Sequence, residues 1–321
     1  MTNRKQIRGL GCGRSGPGTP SAEARRAWPS VRLDRRILLR TKIFPISKRA
    51  WRNMTVCIGA VCEGGKVAVV AADRMVTFGP PMMLTTEPPA FSKIQRLTDA
   101  SVLLFSGSVP DGEWILTQAR AVAAANPGQP IATIAEAVRK AYVQLKRTRV
   151  EETILGPFIG ADFDRFQQLI AQSPSSQLLQ GVLALVTQHN LQTDLLVAGT
   201  DNAGTHVFVV QHPGILLPMA SMGFAAIGSG AVHASVRLSL GQHTPTASLI
   251  DTVYNVYEAK RAAEVAPGVG KMTDMTILTG TRICPASEEV FKVLDEVHKE
   301  RPSPTSTETA RLKEACDVCL K

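Results

Sequence analysis

Apolar and polar positions change their spacing several times along the chain. From Met54 onward, apolar residues gather into short strand-like runs. Residues 55–60 and 66–72 flank Glu63-Gly64-Gly65, which predicts a hairpin. Residues 75–89 contain two Pro-Pro pairs and read as a loop. Residues 94–97 and 101–106 predict a second hairpin around Thr98-Asp99-Ala100. The spacing then lengthens. Ser108 and Asp111 offer caps to a helix over 114–125, and Pro130 opens another, with Ile131, Ile134, Val138, Ala141 and Leu145 on one face. Residues 151–191 carry mixed helical pieces.

Residues 195–199 and 206–210 predict a third hairpin around Asp201-Asn202-Ala203-Gly204, and 225–227 a short strand ending in Gly228-Ser229-Gly230. A helix is expected over about 245–263, with Leu249, Val253, Val256 and Tyr257 on one face, then a last strand over 274–278. Beyond 285 a helical tail is interrupted by Arg301-Pro302-Ser303-Pro304. Hairpins separated by helix pairs argue for an α+β fold with antiparallel sheets. Helices arriving in pairs can cover two stacked sheets, which gives four layers, αββα.

Composition changes this picture at the N-terminus. The net charge of +9 suggests an anionic partner, but residues 1–53 hold fourteen Lys/Arg against Glu23 and Asp34. Residues 54–321 then carry 22 basic and 25 acidic residues. The globular part is mildly acidic, which argues against a nucleic-acid partner. Residues 1–53 are rich in Arg, Gly, Pro and Ser and show no period. Three readings stay open for them: a basic targeting arm, a disordered extension, or a stretch that is not translated. No apolar run approaches the ~20 residues of a membrane span. Cys57 and Cys62 lie in an apolar strand run, Cys316 and Cys319 form a lone C-x-x-C without a second pair, and this usage fits a reducing cytoplasm. The domains expected are therefore 1–53, a core over 54–285 with a helical insertion at 151–191, and a tail over 286–321.

No phosphate loop, H-E-x-x-H or G-x-S-x-G is present, and the six His are scattered. Without a His base, a hydroxyl nucleophile needs another proton acceptor. A free α-amine, with a pKa of about 7.7–8.0, can serve a chain that begins with Thr. A nearby Lys lowers that pKa further, and an Asp holds the Lys. Such a site needs only Thr, Lys, Asp and an oxyanion donor, and no metal or organic cofactor.

The residues that meet this requirement also carry a resemblance. Thr55-Val-Cys-Ile-Gly59, then Val70-Ala-Ala-Asp73-Arg74-Met-Val-Thr77, resembles the start of a mature proteasome β-subunit. Ser92-Lys93-Ile94-Gln95-Arg96-Leu97, Phe105-Ser106-Gly107, Asp194-Leu-Leu-Val-Ala-Gly199-Thr-Asp201 and Ile227-Gly228-Ser229-Gly230 match later segments in order. The likeness is close over about 55–110 and moderate over 194–280. It implies an Ntn-hydrolase with Thr55 as nucleophile, Lys93 tuning its amine, Asp73 orienting Lys93, the Gly107 N–H stabilising the oxyanion and Ser229 in the supporting network. It further implies that Thr77 binds substrate backbone and that Phe105 lines the pocket for the residue before the cut.

Two departures stand out. The family places an Asp and a Ser before the last strand; here Glu264 is the candidate replacement for the Asp, and no Ser follows. Thr55 is also preceded by Asn53-Met54, so its amine is free only if that segment is absent. Removal of an initiator Met54 would expose Thr55 directly, and this chemistry favours a start at Met54. The expected activity is threonine-type peptide hydrolysis in a homo-oligomeric ring acting on peptides or unfolded protein, with an unfoldase partner left open. The alternatives are hydrolysis of a non-peptide amide and a catalytically silent scaffold subunit.

Overall fold

The computed structural model describes residues 55–78, 84–280, 282–300 and 306–320. The expectations for residues 1–53 and for Arg301-Pro302-Ser303-Pro304 lie outside these.

Two five-stranded antiparallel sheets carry the architecture. The first has the order β10-β1-β2-β11-β12, from Phe224–Ile227, Cys57–Cys62, Val67–Asp73, Thr273–Thr279 and Arg282–Pro285. The second runs β5-β6-β7-β8-β9, from Ile94–Thr98, Ser101–Ser106, Asp194–Asp201, Gly204–Gln211 and Ile215–Pro218. The central strands are apolar at nearly every position because both of their faces are covered. Their period of two sorts the side chains. Cys57, Val61, Ala68, Val70, Val102, Leu104, Leu196 and Val209 meet between the sheets. Ile58, Ala60, Val69 and Ala71 face the opposite way, toward the helices.

Helices α6 (Ala231–Leu240), α7 (Leu249–Ala263), α8 (Glu288–Glu300) and α9 (Ser306–Leu320) contribute to the core on the outer face of the first sheet. Helices α1 (Val109–Ala125) and α2 (Ile131–Val150) cover the second. The four-layer αββα arrangement read from the sequence is the one observed. Ser108 caps α1 by accepting from Asp111 N–H, so this helix begins earlier than its apolar period suggests and Asp111 lies in its first turn. Ser248 caps α7 in the same way.

Several elements differ from expectation. The proline-rich loop over 75–89 contains a small hairpin, β3 (Val76–Phe78) with β4 (Leu84–Thr86). β9 and β12 are four-residue edge strands, too short for a period to register. Helix α6 escapes the apolar pattern because Val232, Val236 and Leu240 are exposed while Ala234 and Leu238 are buried. Residues 151–191 form a π-helical turn (Glu151–Leu155), α3 (Gly156–Ile159), α4 (Phe163–Gln172) and α5 (Gln177–Gln188) around a core of their own, centred on Leu155, Phe166 and Val182.

Candidate active site

Strand register brings three sequence-distant groups to one end of the sandwich. Thr55 enters β1, Asp73 ends the neighbouring β2, and the Asp73 N–H donates to the Val56 carbonyl at 3.2 Å. Lys93 immediately precedes β5 in the other sheet. All three are buried: Thr55 is 1 %, Asp73 0 % and Lys93 4 % exposed.

The Asp73 carboxylate gathers five donors. Oδ1 accepts from Thr55 Oγ1, from the Val56 N–H at 2.9 Å and from Lys93 Nζ at 2.9 Å. Oδ2 accepts from the Met75 N–H at 3.1 Å and the Gly270 N–H at 3.0 Å. Lys93 Nζ also donates to Thr55 Oγ1. The threonine hydroxyl thus sits between an ammonium and a carboxylate, with water largely excluded. Such a pair is held by its hydrogen bonds, because desolvation offsets much of the Coulomb attraction.

The backbone of Thr55 is held separately. Its N–H donates to Ser229 Oγ at 3.2 Å. Its carbonyl accepts from the Gly230 N–H at 3.1 Å and from Ser229 Oγ at 3.3 Å. Ser229 also donates to the Pro267 carbonyl at 3.2 Å. Gly228, with φ +92°, permits this approach, since a Cβ there would lie 2.4 Å from the Thr55 carbonyl oxygen.

Thr55, Asp73, Lys93 and Ser229 therefore converge. Gly107 follows β6, with φ +98°, where a Cβ would lie 2.0 Å from the Gln192 carbonyl oxygen. Cys57 Sγ donates to the Phe105 carbonyl at 3.5 Å, which brings the end of β6 against the start of β1. Burial pushes the Cys57 thiol up to about 12, an effect the Lys93 charge opposes, so this cysteine is no rival nucleophile. Thr77 lies on β3 opposite Thr85, and its buried hydroxyl has no partner among the described residues.

Two expected residues are placed differently. Phe105 is 1 % exposed and packs under α1, where a Cβ on Gly112 would come within 2.6 Å of its ring. It belongs to the core between the second sheet and its helices, not to an open pocket. Glu264 does not reach Thr55 or Ser229. Its Oε1 pairs with Lys260 at 2.6 Å and Arg261 at 3.2 Å. The loop between α7 and β11 reaches the site through backbone groups instead, the Pro267 carbonyl and the Gly270 N–H. Lys260, wholly buried on α7, is a titratable group that the sequence reading passed over.

A cavity of about 770 Å³, lined in part by Asp99, Arg120, Pro130 and Asp201, opens at the other end of β6 from Gly107. It lies apart from the Thr55 cluster. Among the described residues no group of three His, Cys, Asp or Glu is placed to hold a metal ion, and no helix is long and apolar enough to cross a membrane.

A comparison with curated proteins finds no match. Residues 52–184 match the model of the proteasome subunit family. That span contains Thr55, Asp73, Lys93 and Gly107 and stops before Ser229 and the Gly270 loop. Over residues 52–184 the chain is similar to proteasome subunits, and its stacked antiparallel sheets between helical layers give it an α+β fold consistent with that likeness.

Proposed function

We propose that this protein is a threonine-type peptidase that works through an acyl-enzyme on Thr55. The observation that carries the reading is the Thr55 hydroxyl held between Lys93 Nζ and the Asp73 carboxylate. Once Thr55 is the first residue, its amine takes the hydroxyl proton as Oγ1 attacks the scissile carbonyl. The Lys93 ammonium favours the neutral, basic form of that amine, and Asp73 holds Lys93 in place. The Gly107 N–H meets the oxyanion, an interaction worth about 2.7–4 kcal/mol. The tetrahedral intermediate collapses, the C–N bond breaks and the leaving amine takes the proton. Water then cleaves the ester and frees Thr55.

In this reading Thr77 pairs with substrate backbone, a role that fits its unpartnered hydroxyl. Exposed Val232, Val236 and Leu240, spaced four residues apart on α6, support a homo-oligomeric assembly. The free thiols of Cys57, Cys62 and Cys284 support a reducing, cytoplasmic setting. The reaction requires Thr55 to be exposed, and a start at Met54 with removal of that Met supplies this.

Protein whose first residue is Thr55 is expected to cleave peptides, and Thr55→Ala to lose at least about a thousandfold in kcat. Full activity in Thr55→Ala would sink the mechanism. A panel of peptides and non-peptide amides separates peptidase from general amidase. A second reading, a silent scaffold subunit, rests on the 1 % exposure of Thr55. Covalent labelling of Thr55 by an electrophile excludes it.

A further inference from the structure

Among the described residues Lys260 is buried as Lys93 is, and the chemistry above makes no use of it. It shares the buried face of α7 with Val253, Val256 and Tyr257, at the spacing that buries its apolar neighbours. Its Nζ donates to Glu264 Oε1 at 2.6 Å and to the Lys271 carbonyl at 2.6 Å. Those two partners bracket the loop between α7 and β11. Inside the bracket lie the Pro267 carbonyl, which accepts from Ser229 Oγ, and the Gly270 N–H, which donates to Asp73 Oδ2. One ammonium therefore closes the loop whose backbone holds two of the four residues gathered at Thr55.

A lysine is an expensive way to close a loop inside a core. Burial lowers the pKa of its ammonium, and Glu264 acts against that shift, as the Asp73 charge does more weakly. A methionine would fill similar volume with no charge to desolvate. The charge therefore needs a use, and the site that the loop's backbone contacts offers it.

We propose that Lys260 is a positioning residue of the Thr55 site: it closes the 264–271 loop so that Asp73 and Ser229 stay in place, and its positive charge favours the basic form of the Thr55 amine. This rests on the reading of Thr55 as an N-terminal nucleophile. The other charged groups around the site are Lys93 and Asp73 from the sheets, Arg261 and Glu264 from α7, Lys271 on the loop, and Glu87. Glu87 follows β4 and accepts from the Met272 N–H at 3.4 Å. Removing the Lys260 charge leaves Glu264 partly uncompensated, and both changes raise the pKa of an amine nearby.

The test uses protein that begins at Thr55 and a small β-lactone as probe. Thr55 Oγ1 bonds to the lactone carbonyl, the ring C–O bond breaks, and the hydroxyl proton ends on the former ring oxygen, so the adduct carries the whole lactone mass. Intact-mass spectrometry follows the acylation rate against pH. Lys260→Met is expected to react about tenfold more slowly at pH 7, with the midpoint of its rise displaced to higher pH, and Lys260→Arg to restore the midpoint. Glu264→Gln keeps the ammonium and removes the carboxylate, so its midpoint moves to lower pH. This variant carries the test if Lys260→Met does not fold. A wild-type rate in Lys260→Met, an equal loss at every pH with the midpoint unmoved, or an unmoved midpoint in Glu264→Gln would overturn the proposal. If the unsubstituted protein is labelled at every site except Thr55, or at none, the nucleophile reading itself fails and Lys260 falls with it.

Discussion

The two halves of the Thr55 site are built from different material. Residues 55–107 contribute the reactive side chains, the Thr55 hydroxyl, the Asp73 carboxylate and the Lys93 ammonium, alongside the Val56 and Met75 N–H. Residues 228–271 contribute mainly main-chain groups, the Gly230 and Gly270 N–H and the Pro267 carbonyl, with Ser229 as the one side chain. A side chain in the first half has no substitute, because its chemistry is the contact. A main-chain contact survives any sequence that keeps the loop in place. The second half can therefore depart from the family's Asp and Ser and still reach Asp73 and Ser229.

The hardest test of that contrast is Asp73→Ala. It strands the Lys93 ammonium in a buried site, which is expected to cost about 3–5 kcal/mol of folding stability in a urea titration. Gly107→Ala comes next. A side chain at φ +98° collides with the Gln192 carbonyl, so the turn must move. The expected loss in peptide cleavage is about a hundredfold or more, measured on protein beginning at Thr55.

A third effect is set by pH. Burial raises both the Cys57 and Cys62 thiols to about 12. The folded state keeps these protons where the unfolded chain releases them near pH 9. The stabilisation is therefore complete below about pH 9 and lost as pH rises toward 12, at about 1.4 kcal/mol per unit and thiol at most. Thermal melts between pH 8 and 10 should show this fall, and Cys57→Ala with Cys62→Ala should reduce it. Smallest is Ser229→Ala in the main-chain half, at about 0.5–1.5 kcal/mol for its hydrogen bonds in the same urea titration. A loss there equal to that of Asp73→Ala would erase the distinction.

Legibility along the chain follows the same division. The three main hairpins were readable because most of their strands are apolar on both faces and each turn carries Gly or Asp. Helix α6 was not, because its exposed Val232, Val236 and Leu240 blur the face that Ala234 and Leu238 bury. Hairpin β3–β4 hides among prolines, and three residues per strand are too few to set a period. Within the site, Thr55, Asp73, Lys93 and Ser229 were found as side chains with chemistry. The Pro267 and Gly270 contacts could not be, since any residue supplies the same backbone groups. Phe105 could have been placed correctly: it is two residues from Leu103 and shares its helix-facing side. Lys260 was open to the same argument, four residues beyond Val256 on a buried face.

The segment over 151–191 is anchored at both ends beside the Gly107 turn. At its entrance Arg149 Nη2 donates to Asp111, in the first turn of α1, at 2.9 Å. At its exit the Gln192 carbonyl lies against Gly107. The segment has its own small core, and a unit of that kind opens locally at less cost than the whole fold. Its opening would slacken both anchors together. The turn can then be no more rigid than the segment beside it, and the amide protons of the two should exchange with solvent as a single group.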